Sequence, residues 1–156
     1  MKNNLFFILI ISLFFITCRR PVQYSDIPEI KFISFDIHNQ TDGMLTYYFQ
    51  DGDGDIGLYE FETNPPFDFN FFCDCYEKRD GMFEKVIFPD TTFNLNARIP
   101  RLSDLSEESI NGEIAHLMVP YRDNSPYDTV KLSFYIVDRK LNHSNVEEVI
   151  VVRNNN

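Results

Sequence analysis

The chain has 156 residues; Lys and Arg total 14 against 24 Asp and Glu, and the formal net charge is −10. Binding a phosphate backbone needs concentrated positive charge, so this balance excludes nucleic acid as an expected partner. With 16 phenylalanines and no tryptophan, the core is expected to be built on phenylalanine rings, and indole stacking on sugars is excluded.

The first predicted element is an export signal. Met1-Lys2-Asn3-Asn4 is a short basic start, and residues 5–16 are apolar apart from Ser12. A run of 12 suits the core of a signal peptide, whereas a membrane-spanning helix needs about 20 residues. Phe15-Ile16-Thr17-Cys18 closes the run and resembles the lipobox of bacterial lipoproteins. In that family the chain is cut before the cysteine, whose thiol then carries diacylglycerol. Thr17 departs from the family pattern, which usually has Gly, Ala or Ser there. The resemblance implies a signal peptide over 1–17, lipidation of Cys18 and a tether over 18–27. Arg19-Arg20, rather than an aspartate, follows the cysteine; by the same resemblance this points to the outer membrane, with the facing leaflet open. Removing 1–17 leaves 156 − 17 = 139 residues, and 28–153 suits one domain.

Beyond the tether, period-two alternation dominates. Residues 30–37 read as a strand with a register change inside it, 39–43 as a turn, and 44–49 as a second strand running into an acidic stretch. Residues 67–78 read as a third strand, with Phe67, Phe69, Phe71, Cys73 and Cys75 on one face. Asp80-Gly81 is the strongest short hairpin signal and returns the chain into a strand over 83–88. Residues 93–99 alternate until Pro100, and 103–109 carry the chemistry of one helical turn. Asn111-Gly112 reads as a turn into a strand over 113–119. Strands over 129–137 and 146–152 complete the chain. Pro65-Pro66 offers no ladder N–H and is excluded from a central strand. Seven to eight short strands predict an all-β, antiparallel immunoglobulin-like sandwich.

Residues 47–58 carry the densest chemistry. Asp51, Asp53 and Asp55 alternate with Gly52 and Gly54. Three carboxylates so close repel one another unless a cation neutralises them or water screens them, and the glycines let the backbone curl until several oxygens converge. Hard oxygen donors are what Ca²⁺ selects. Asp and Gly are also ordinary turn formers, so a solvated turn is the plainer reading of the same residues. An EF-hand is rejected: Ile56 stands where that loop needs Gly, and the flanks are strand-like. Glu62, at its twelfth position, is kept as a distant ligand.

A second strand end has the same form. Residues 132–137 alternate into Asp138, and Asn142 follows four residues later. If the two strands are B and F of an immunoglobulin-like domain, their following loops share a pole. The expected metal ligands are then Asp51, Asp53, Asp55 and Asp138, with Asn142 supplying a carbonyl or fixing the loop. The expected cofactor is Ca²⁺, bound weakly at about 10⁻⁴–10⁻³ M.

Asp138-x-x-x-Asn142-x-Ser144-Asn145 resembles the ending of bacterial immunoglobulin-like and fibronectin-III-like repeats. Residues 49–57 resemble the acidic loop of small cell-envelope lipoproteins that contain such a domain. The resemblance implies an all-β sandwich with Ca²⁺ and no known activity.

Other chemistry is sparse. Cys73 and Cys75 on one strand face would sit about 6.6 Å apart, too far for a disulfide, and are expected as buried free thiols. His38, His116 and His143 are scattered. No nucleophile elbow, zinc-binding H-E-x-x-H, S-x-x-K or phosphate loop is present, so a non-catalytic binding or structural module is expected. Tyr121 and Tyr127 offer a sugar platform. The alternatives are a carbohydrate-binding accessory of a glycan-uptake system, a hydrolase with an unrecognised site, or a structural partner of other envelope proteins.

Overall fold

A computed structural model describes residues 24–39, 42–88, 94–101, 108–119 and 125–153. They form seven strands and no helix: β1 (Glu29–Ile37), β2 (Gly43–Asp51), β3 (Phe71–Arg79), β4 (Met82–Lys85), β5 (Ile110–Met118), β6 (Thr129–Ile136) and β7 (Glu147–Val152). One sheet has the order β1-β2-β5 and the other β4-β3-β6-β7, with every pairing antiparallel. These orders are those of strands A-B-E facing C′-C-F-G, the immunoglobulin-like arrangement expected from the strand pattern. The expected signal peptide, Cys18 and most of the expected helical turn lie outside the described residues.

Alternation explains which residues meet between the sheets. Leu45, Tyr47 and Phe49 of β2 face Phe71, Cys73 and Cys75 of β3 and Val130, Leu132, Phe134 and Ile136 of β6. Tyr47, Phe71 and Phe134 are fully buried, with ring centroids 5.6–5.9 Å apart. Burying each phenylalanine contributes roughly 1.5–3 kcal/mol before the entropy cost of ordering it. The expected register change in the first strand is a bulge between Phe32 and Ser34. Asp80 (φ 46°) and Gly81 (φ 86°) make the β3–β4 turn, both with the positive φ that a tight two-residue hairpin requires. Cys73 and Cys75 are buried free thiols.

Three local expectations are corrected. The third strand begins at Phe71 rather than at 67. There the Asn70 side chain exchanges hydrogen bonds with the Ile99 backbone, donating to its oxygen at 3.2 Å and accepting from its nitrogen at 2.6 Å. Residues 94–101 accordingly form isolated bridges to Phe71 and Leu58 instead of a strand. Asn111-Gly112 lies inside β5, opposite Gln50 and Phe49, and not in a turn. Pairing along the whole of β2 outweighs the local turn preference of that dipeptide.

Candidate metal centre

Strand parity places the first carboxylate. Asp51 ends β2 on the same face as Leu45, Tyr47 and Phe49, and its side chain is fully buried. Its Oδ2 accepts the backbone N–H of Asp55 at 2.9 Å and of Ile56 at 3.3 Å, which curls the loop back on itself. Gly54 supplies the turn with φ 65°; a Cβ there would lie 2.2 Å from the Glu108 carbonyl oxygen. The Arg101 guanidinium fixes the curl from outside, donating to the carbonyls of Gly54 at 2.9 Å and Ile56 at 3.0 Å.

The loop between β6 and β7 closes around Asp138. Its two carboxylate oxygens accept the backbone and side-chain N–H groups of Asn142, each at 2.7 Å. Asn142 therefore fixes the loop through Asp138. Ser144 Oγ accepts the Ile136 N–H at 3.0 Å, and the Asn145 amide pairs with both backbone groups of Ile30 at 2.8 and 2.9 Å. The Asp-x-x-x-Asn-x-Ser-Asn motif thus shapes the loop and fastens its exit to β1.

The two loops meet as the B–F topology requires. One carboxylate oxygen from each of Asp51, Asp55 and Asp138 lies within 4.8 Å of the other two. Asp138 is 2% exposed, and Asp55 is half-buried. Oδ1 of Asp51, of Asp53 and of Asp55 is buried with no hydrogen-bond partner. Leaving a buried charged oxygen unmatched is costly. Burial, then the charges of Asp53 and Asp55, push the Asp51 carboxyl up to about 6 against its two backbone N–H bonds. Burial, then Asp138 and Asp53, likewise raise Asp55. A bound divalent cation reverses this penalty, turning mutual repulsion into shared attraction. All three donors are hard oxygens, and two Ca–O bonds of about 2.3–2.6 Å span such separations.

Two further expected ligands, Asp53 and Glu62, meet cations of the chain itself. Asp53 stands outside the three-carboxylate group, and its Oδ2 contacts the Lys140 ammonium. Glu62, kept from the sequence as a distant ligand, is engaged instead by both guanidinium nitrogens of Arg139. His143 stacks on Tyr135 at 5.2 Å, and Tyr127 lies under Arg79, whose guanidinium carbon is 5.2 Å from the ring centroid. Tyr121 is outside the described residues.

Sequence reasoning missed the cations that organise this pole. Arg98 donates to the carbonyls of Tyr59, Phe67 and Asp68, and Arg139 also lies 4.7 Å from the Tyr59 ring centroid. Arg139-Lys140 directly after Asp138 in an acidic chain was the available signal; the oxygens they meet are set by the fold.

No protein-family model and no curated protein matches the chain. Among solved structures, the glycoside hydrolase domain of Endo-D from Streptococcus pneumoniae R6 aligns with 10% identity over 85% of this chain and 16% of that chain, at a TM-score of 0.27. A likeness this slight carries no argument about fold or activity. The chain is an immunoglobulin-like β-sandwich with three carboxylates gathered at one pole.

Proposed function

We propose that this protein is a lipid-anchored, non-catalytic binding or structural module of the cell envelope, with one pole stabilised by Ca²⁺. Asp51 carries the metal reading: its side chain is fully buried, and its Oδ1 has no partner beside the Asp55 and Asp138 carboxylates. Asp51, Asp55 and Asp138 would hold the ion. Asp51 and Asp138 are buried, so in this reading they hold the ion and do not themselves touch a ligand of the protein. Such an ion ties the loop after β2 to the loop after β6 and preorganises the surface they present. The anchor reading is supported by the apolar run over 5–16 ending at Cys18.

Thermal melting of chelator-treated protein tests the metal. Ca²⁺ at a hundred times its dissociation constant contributes about 2.7 kcal/mol, which in a domain of this size raises the melting temperature by roughly 5–10 °C. Asp51→Asn abolishes the rise. It also stabilises the metal-free protein, because an amide replaces a carboxylate that burial and its neighbours hold at about 6. A wild-type melting curve indifferent to Ca²⁺ at about 100 mM, a hundred times the weakest expected dissociation constant of about 10⁻³ M, overturns the reading.

A further inference from the structure

The polypeptide enters the sandwich at the carboxylate pole. Gly52 donates its N–H to the Ser25 oxygen at 2.7 Å, and a Cβ on Gly52 would lie 2.5 Å from the Tyr24 oxygen. Glu29 then pairs with Gln50, the residue before Asp51. From Cys18 to Tyr24 is 24 − 18 = 6 residues, which reach about 20 Å at full extension. A lipid on Cys18 therefore holds this pole, and not the β3–β4 end, close to the membrane.

Large apolar side chains stand out of the surface at the same pole. Phe61 is 79% exposed, Ile27 55%, Leu141 47% and Tyr59 42%. They come from three segments joined to one another: Ser25 bonds Gly52, Glu62 bonds Arg139, and Arg139 packs over Tyr59. The Tyr59 and Phe61 rings stack at 5.4 Å, on a loop whose Tyr59, Phe67 and Asp68 carbonyls Arg98 holds. Exposed aromatic and aliphatic tips on a fixed loop suit the headgroup boundary of a bilayer, where amphipathic rings collect.

We propose that the carboxylate pole rests on the bilayer that holds the lipidated Cys18, with Phe61, Tyr59, Ile27 and Leu141 at the headgroup boundary. This rests on the lipid-anchor reading and is independent of the cation. The full chain has a net charge of −10, and losing Lys2 with residues 1–17 makes it −10 − 1 = −11, so the protein is repelled by anionic headgroups and fits a zwitterionic surface.

The absence of tryptophan makes Phe61→Trp a single reporter. The full chain carrying this substitution, processed and lipidated in cells, is reconstituted in phosphatidylcholine vesicles with or without brominated acyl chains. A matching Met82→Trp protein reports on the opposite pole, where Met82 is 67% exposed beside the β3–β4 turn. The expected result is blue-shifted emission that bromolipid quenches at position 61 and leaves unchanged at position 82. In a protein whose N-terminal peptide has the mass of a diacylglyceryl cysteine, no quenching at position 61, or equal quenching at both, overturns the docking and leaves the anchor. An unlipidated N-terminus overturns both.

Discussion

Arg139 and Glu62, 77 residues apart in sequence, meet through two hydrogen bonds of 2.7 Å, one from each terminal guanidinium nitrogen to a separate carboxylate oxygen. Planar two-point pairing of this kind fixes orientation as well as distance. It locks the loop after β2 to the loop after β6 beside Asp138, with or without a cation.

The pair should be visible in the acid limb of stability. The Arg139 hydrogen bonds hold the Glu62 carboxyl down to about 2, below its ordinary 4.5. A carboxyl depressed by folding contributes stability that is present above about 4.5 and is lost as pH falls through about 2. Glu62→Gln should therefore melt below wild type at pH 7, with the gap narrowing towards pH 2. An equal gap at both ends would mean that the carboxylate charge is not what matters.

Lys140 should restrain cation affinity. Its ammonium contacts Asp53, and that bond is the main cause of its raised pKa. Lys140→Gln frees a carboxylate whose Oδ1 is already buried and unmatched. Calorimetry should show Ca²⁺ binding several-fold tighter, an effect that shrinks at high salt. Unchanged affinity would place Asp53 out of the ion's reach.

His116 provides a separate pH signature, away from the carboxylates. Its ring lies 4.3 Å from the Phe71 centroid, and its Nε2 is 3.0 Å from the Tyr47 hydroxyl. Burial lowers its pKa to about 4 from 6.5. Neutral His116 thus adds stability present above 6.5 and lost as pH falls through about 4, on the order of 3 kcal/mol. His116→Gln should flatten the loss between those limits in denaturant titrations. A persistent slope would assign the loss to other groups.

The two core cysteines should be chemically silent. Cys73 is 7% exposed and Cys75 2%, and burial pushes the Cys73 thiol up. A thiol reagent should label neither in the folded protein and both in denaturant. Labelling under native conditions would show that the sandwich opens.

What the sequence determined about this protein was its local physics. Alternation in 44–49 and 129–137 specified two buried strands, Asp80-Gly81 specified a hairpin, and the acidic stretch specified hard oxygen donors. Strand parity even directs Asp51 inward, because β2 continues to it. What the tertiary structure decided was pairing. Asp55 joins Asp51 and Asp138, while Asp53, two residues away from each of its neighbours in the acidic run, meets Lys140 instead. Parity stops where the strand ends, and beyond that a side chain's direction follows the turn. Glu62 looked like a ligand by spacing and became the partner of Arg139; Asn111-Gly112 looked like a turn and became a rung of β5. Charges and backbone groups choose partners by distance in space, and that distance is set only once the two sheets have packed.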